Sequence, residues 1–272
     1  MPPSHSWLLA SDMDGTVIPL DDEPSRRAEI ADLAEALRRA PELTLAYVTG
    51  RSLGLALRGI EAFGLPIPAF VAADVGTRIH RRTGQDFVPD PDYDAAMARA
   101  MGGVELSEVG RVVEELPGFR LQPETQQGRF KRSYYVPGDV PEAEIVGPAG
   151  ERLRREGARV MLVHSHDPLT GEGLLDLLPA DVAKDTAVRH LARVAGVPGE
   201  GVVYAGDSGN DMAAFLGGFA GILVGNAPGA LRDRLREARD ESGGGMRIHF
   251  ARAPFAAGVL EGLHHFGAVP GG

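Results

Sequence analysis

The chain has 272 residues, 38 acidic and 28 basic, with a formal net charge of −10 and no cysteine. This excludes disulfides, thiolate metal sites and cysteine nucleophiles, and argues against a general binder of nucleic-acid phosphates. Apolar residues make up 43% of the chain, enough for a core, yet no apolar run nears the ~20 residues that span a bilayer. Residues 1–5 carry no basic-then-apolar leader, so the expectation is a cytoplasmic protein without membrane contact. The basic residues are 26 arginines against two lysines, Lys131 and Lys184. Such a bias is usually compositional, and a lysine that survives it stands there either by chance or because a guanidinium cannot replace it.

Residues 7–11 are a short apolar run ending in Asp12-Met13-Asp14-Gly15-Thr16, which predicts a buried strand with a loop at its C-terminal end. Trp7, at its start, reads as core. Ile30, Leu33 and Leu37 recur at spacings of three and four and predict a helix over 25–39, with Ser25 as N-cap and Pro41 as stop. A strand is expected over 43–48, ending in Thr49-Gly50-Arg51, then a helix and a strand over 69–73.

The middle changes character. Residues 78–80 and 86–88 flank Thr83-Gly84 like a hairpin; 92–116 and 140–156 read as helices, and 120–121, 131–136 and 159–163 as strands. The alternation then returns. A helix over 185–195 precedes a strand over 201–205 that ends in Gly206-Asp207-Ser208-Gly209-Asn210-Asp211. Strands over 221–224 and 247–250 and helices over 229–239 and 255–266 complete the pattern.

Strands alternating with helices predict an α/β fold, a doubly wound parallel sheet. Its core would comprise residues 1–80 and 175–272, with an inserted α+β unit over 81–174. Ligands bind such sheets at the C-terminal strand ends, where every polar motif just named falls.

Two carboxylates two residues apart, Asp12 and Asp14, can bind a hard cation and still face a substrate. One can attack phosphorus while the other carries a proton. Taken alone, the run is also what a solvated strand-to-loop turn looks like. Thr49-Gly50-Arg51 offers a hydroxyl and N–H groups to phosphoryl oxygens, or is an ordinary turn and N-cap. Lys184 could offset charge on a transferring phosphoryl group, or be a solvated lysine at a helix start. Asp207, Asn210 and Asp211 could hold a metal and position a phosphate, or be a capping cluster.

Their order decides between these alternatives: DxDGT, TGR, lysine and GDSGND, each at a strand end or helix start. In this the chain resembles the haloacid dehalogenase superfamily of phosphohydrolases, and the insertion is similar to that family's type-two α/β cap. The resemblance implies Asp12 as nucleophile, Asp14 as general acid/base and Lys184 as a catalytic cation. It implies Mg²⁺ held by Asp12, by Asp14 through its backbone carbonyl and by Asp207, with Asp211 in the same acidic set. Thr49, Gly50, Arg51 and Asn210 would serve the substrate.

Within the superfamily, the sucrose-phosphate phosphatase branch is the nearest in kind. Residues 74–77 (DVGT), 130–135 (FKRSYY), 176–179 (DLLP) and 225–227 (GNA) resemble its segments, and imply that Lys131 and Asp176 contact the sugar. The chain departs from the branch at Arg78, where an acidic residue is usual, at Phe130 for tryptophan and at Asp185 for glycine. The implied substrate is sucrose 6-phosphate or a relative such as trehalose phosphate, mannosylfructose phosphate or mannosyl-3-phosphoglycerate. A sugar-phosphate synthase is the implied partner. A phosphomutase with the same cap, or a non-catalytic domain serving such a synthase, are the other classes this pattern admits; the latter would be expected to lose the carboxylates present here.

His164-x-His166 shares one strand face without an adjacent third ligand, so it reads as cap surface or substrate-facing rather than a metal pair. His264-His265 reads as partly exposed packing, and residues 152–155 (RLRR) as a solvated helix face.

Overall fold

The computed structural model describes residues 6–103, 105–167, 170–180 and 182–271; the stretch 1–5, read above as carrying no leader, lies outside them. Among the described residues, eight strands form one sheet and four a second. The large sheet contains β1 (Trp7–Ser11), β2 (Leu43–Val48), β3 (Phe70–Ala73), β4 (Arg78–Thr83) and β5 (Asp86–Pro89). The small one contains β6 (Arg120–Leu121), β7 (Arg132–Val136), β8 (Val160–His166) and β9 (Gly173–Pro179). The chain then returns to the large sheet with β10 (Val202–Gly206), β11 (Ala220–Leu223) and β12 (Ile248–Phe250).

The large sheet runs β12-β11-β10-β1-β2-β3-β4-β5, parallel from β12 to β3. β1 lies where the strand order reverses: Leu9 pairs with Val203 on one side and Leu45 on the other. Side-chain alternation sends Leu8 and Ala10 into one apolar cluster and Leu9 into the other. A strand buried on both faces reads as a continuous apolar run, and each fully buried leucine contributes about 1.5–3 kcal/mol. Trp7 is half-buried at the strand's start rather than in the core, since only the residues after it are covered on both faces.

The helices of the core are α1 (Arg26–Arg38), α2 (Leu53–Phe63), α7 (Lys184–Ala195), α8 (Met212–Phe215), α9 (Gly229–Glu241) and α10 (Phe255–Phe266). Ser25 stands at the N-cap of α1 without making a side-chain capping bond. The insertion holds α3 (Pro91–Met101), α4 (Leu106–Val109), α5 (Arg111–Glu114) and α6 (Glu142–Arg155). Asp90 caps α3 by accepting from the Tyr93 N–H, and Pro91 opens it. The single helix expected over 92–116 is broken at Gly102-Gly103, both in the left-handed region with φ of 60° and 83°.

Sheet membership differs from the boundaries read at 80/81 and 174/175. The hairpin β4–β5 pairs antiparallel onto β3 and extends the large sheet. β9 lies between β7 and β8 in the small sheet, Asp176 opposite Ser133 and Val163. Apolar alternation in a strand does not say which sheet it joins. No helix among the described residues is long and apolar enough to cross a membrane.

Candidate active site

β1 and β10 are neighbours, so the residues leaving them meet: Ser11 pairs with Ala205, and the Asp12 N–H donates to the Ala205 carbonyl. Lys184, the first residue of α7, reaches between them from the side. Its Nζ donates to Asp12 Oδ2 at 2.6 Å and to Asp211 Oδ1 at 2.7 Å, with the lysine fully buried. Asp207 is buried beside them, its Oδ1 accepting from Thr16 Oγ1 at 2.6 Å.

Carboxylate oxygens of Asp12, Asp207 and Asp211 lie within 4.8 Å of one another. Burial pushes Asp12 up, and Asp211 and Asp207 add to it against the opposing pull of Lys184. Burial and repulsion from Asp211 push Asp207 up to about 7. Burial also works against the charge of Lys184, but Asp12 and Asp211 overcome it and hold the ammonium protonated well above its ordinary value. With all three carboxylates ionised, one buried cation would leave excess negative charge; protons relieve it in the raised Asp12 and Asp207, and a hard divalent cation such as Mg²⁺ would suit the same oxygens.

The three carboxylates are not equally free. Asp211 Oδ1 takes Lys184 and the Tyr204 hydroxyl at 2.5 Å, and its Oδ2 takes the N–H groups of Asp207 and Ser208. Asp12 Oδ1 accepts from the Met13 N–H at 2.7 Å. Gly15 is required where it stands: φ is +76°, and a Cβ there would lie 2.3 Å from Asp207 Oδ2.

Asp14 is placed differently from its neighbour. Its carboxylate accepts two hydrogen bonds from Arg51, Nε at 2.7 Å and Nη2 at 2.6 Å, in a fork–fork pair at a partly exposed position. Arg51, expected on the substrate, is thus engaged with Asp14 and with the Leu55 carbonyl. Thr49 is fully buried at the end of β2, its Oγ1 accepting from the Arg51 N–H at 3.2 Å. Asn210 Oδ1 accepts from Ser208 Oγ.

From the small sheet, Lys131 reaches down to the core and donates to the Gly50 carbonyl at 3.0 Å; it is 4% exposed. Asp176 accepts from Ser133 Oγ at 2.5 Å. The inserted unit therefore covers the loop that follows β2.

A family profile described as sucrose-6F-phosphate phosphohydrolase matches residues 5–267. The chain belongs to this family. It is 33% identical over 270 residues to a HAD-like hydrolase of Nitrosococcus oceani, covering 95% of this chain and 71% of that protein. It is 28% identical over 265 residues to the mannosylfructose-phosphate phosphatase of Agrobacterium fabrum, covering 97% and 98%. The sucrose-phosphatase of Synechocystis sp. PCC6803, solved with sucrose and phosphate, superposes with a TM-score of 0.80 at 25% identity, covering 97% of this chain and 98% of that one. The protein is a phosphoric monoester hydrolase of the haloacid dehalogenase superfamily, with the cap over an α/β core.

Several features of this phosphohydrolase escape its sequence. Asp185, the departure beside the motif lysine, pairs with Arg189 at 3.6 Å instead of joining the buried carboxylates. Tyr204 and Thr16 bind Asp211 and Asp207; the signal for Tyr204 is a lone hydroxyl in an otherwise apolar strand. Asn226 ties the late loop to the first, its Nδ2 donating to the Gly15 carbonyl at 2.7 Å. His164 and His166 stand with rings 4.9 Å apart, and no acidic or histidine group forms a metal cluster around them among the described residues. His265 is exposed and stacks on His249 at 4.4 Å.

Proposed function

We propose that this protein removes phosphate from a disaccharide phosphate, sucrose 6-phosphate or a close relative, through a phosphoryl group carried on Asp12. The observation that supports this best is the buried Lys184 bridge between Asp12 and Asp211, at the strand ends where the sheet order reverses and beneath a cap.

In the first step an Asp12 carboxylate oxygen forms a bond to phosphorus as the bond to the sugar oxygen breaks. Asp14 gives that oxygen its proton. In the second, water attacks the phosphorus of the aspartyl phosphate, Asp14 takes the water's proton, and Asp12 is freed. Lys184, fixed by two carboxylates, faces negative charge shared by Asp12 and the phosphoryl oxygens. Asp12, Asp207 and the Asp14 backbone carbonyl would hold Mg²⁺, which when bound neutralises charge on the transferring phosphoryl group. Asp211 has both oxygens engaged, so we assign it to holding Lys184 and the Asp207 loop.

Thr49, Gly50 and Asn210 would meet the phosphoryl oxygens. Lys131 spends one of its three donors on Gly50, leaving two for sugar hydroxyls, with Asp176 on the same sheet. Arg51 positions Asp14 rather than the substrate. Because a sugar phosphate does not cross membranes, the cytoplasm, beside the sugar-phosphate synthase class that makes such compounds, is the site of action this implies.

The test is phosphate release from sucrose 6-phosphate, trehalose 6-phosphate, mannosylfructose phosphate, mannosyl-3-phosphoglycerate and simple hexose phosphates, with Mg²⁺. A disaccharide phosphate should give the highest kcat/KM. Release from none would sink the proposal.

A further inference from the structure

Between cap and core lies a cavity of about 460 Å³, within the ~300–1,000 Å³ usual for small-molecule sites. Asp74, Arg78 and His80 of the core face it, and Glu124, Gln127 and Arg129 of the cap. It adjoins the phosphate-loop end, since Ser52 and Gly54 also line it.

Asp74 follows β3, and two of its features stand out. It is 4% exposed, yet its Oδ1 is buried without a hydrogen-bond partner. Unsatisfied buried carboxylate oxygens are costly. Its backbone is left-handed, φ 54°, and so is that of Val75, φ 60°; for a β-branched residue that conformation is a strained outlier, of the kind that collects at functional sites. Cap residue Gly128 lies directly against it: a Cβ there would stand 2.7 Å from Asp74 Oδ2. Burial, against the attraction of Lys131 and Arg78, pushes Asp74 up to about 6. Its neighbours are open too. Among the described residues Arg78 Nε and His80 Nδ1 are buried without hydrogen-bond partners; Arg78 and Arg129 each approach Asp94 at 3.8 Å, and Arg129 also lies over the Phe130 ring.

We propose that Asp74 is a specificity-determining residue: its free carboxylate oxygen accepts a hydroxyl from the part of the substrate remote from the phosphate, within the cavity it shares with Arg78 and His80. A buried acceptor beside the Arg78 donor, with a neutral histidine ring that offers one donor and one acceptor, suits a neutral polyhydroxylated ring, because each hydroxyl both donates and accepts. The two acids, Asp74 and Glu124, are balanced by Arg78 and Arg129, so the lining carries no net charge and favours a neutral ligand over an ionic one. This rests on the phosphatase reading above, and it names what holds the non-phosphorylated half.

The experiment compares Asp74→Gly, Asp74→Asn and wild type on p-nitrophenyl phosphate, which lacks that half, and on the best of sucrose 6-phosphate, trehalose 6-phosphate and mannosylfructose phosphate. Glycine accepts the left-handed backbone and removes the side chain; asparagine tolerates the backbone and keeps an acceptor oxygen. Circular dichroism and melting confirm folding. Loss of a hydrogen bond to a charged group is about 10- to 100-fold. Asp74→Gly should therefore lower kcat/KM on the disaccharide phosphate at least ~10-fold more than on p-nitrophenyl phosphate, mainly through KM, and Asp74→Asn should recover most of it. Equal losses on both substrates, or no loss on either, would overturn the proposal. So would a wild-type enzyme that prefers p-nitrophenyl phosphate to all three disaccharide phosphates, although the phosphatase reading would survive. Failure of wild type on every ester would remove that reading and this proposal with it.

Discussion

Arg51 grips Asp14 through two hydrogen bonds, 2.7 and 2.6 Å long, while Asp12, two residues earlier, is buried against Lys184. Two carboxylates of one short motif thus have opposite surroundings, one desolvated and one at a partly open rim. Both Asp14 oxygens accept from Arg51 here, so carrying a proton requires Asp14 to turn one oxygen away from the guanidinium and toward the substrate.

Asp14→Asn keeps the shape and removes the proton. General acid catalysis is worth about 10²–10⁴-fold when the leaving oxygen needs a proton. The variant should lose that much kcat on a sugar phosphate and clearly less on p-nitrophenyl phosphate, whose leaving group departs as an anion. Steady-state kinetics on both esters decides it; equal losses would take the proton role away from Asp14.

The two lysines of an arginine-rich chain both reach the C-terminal strand ends, Lys131 at Gly50 and Lys184 at Asp12. Lys184→Arg should lose turnover by ~10²-fold or more, because a planar fork cannot occupy a fully buried point between two carboxylates. Lys131→Arg should act on KM rather than kcat. Wild-type kinetics in both variants would reduce the lysines to survivors of compositional bias.

Metal binding at the acidic cluster would be pH-dependent. Asp207 stands at about 7 in the fold against 3.8 as its ordinary value, so the native state binds the extra proton between these pH values. Stability of the metal-free protein from this group is therefore greatest below about pH 4 and is lost as pH rises through about 7. Mg²⁺ needs the ionised form, so its stabilisation should grow over the same window. Thermal melts with and without Mg²⁺ should show a larger Tm increase at about pH 8 than at about pH 5.5. An increase that shrinks with pH would contradict this.

Gly15→Ala places a methyl group where Asp207 stands, on a backbone with φ +76°. It should weaken Mg²⁺ binding, seen as a raised half-saturating Mg²⁺ concentration, while circular dichroism changes little. An unchanged Mg²⁺ titration would show that Asp207 is not held by this turn.

The buried cluster was legible because its placement is local: Asp12, Lys184 and Asp207 each close an apolar run or open a helix, and a parallel sheet brings such ends together. What stayed hidden depends on contacts between distant parts of the chain. The pairing of Arg51 with Asp14 joins two loops 37 residues apart, and only the packed rotamers reveal it. Nothing in the residues 74–77 announces a left-handed aspartate followed by a left-handed valine. β9 alternates like any strand, and its place between β7 and β8 is set by pairing, not pattern. The break after α3 was readable in Gly102-Gly103, but apolar spacing continued past it and suggested one helix.

The role of Asp12 as the phosphoryl carrier is tested most directly by acid-quenching a single turnover with Mg²⁺ and a disaccharide phosphate, then mapping the peptides by mass. The expected result is a phosphoryl group on the peptide carrying Asp12 that appears and decays before the last phosphate is released, and that is absent, along with turnover, in Asp12→Asn. Full turnover in Asp12→Asn, or a phosphoryl group on another residue, would contradict it.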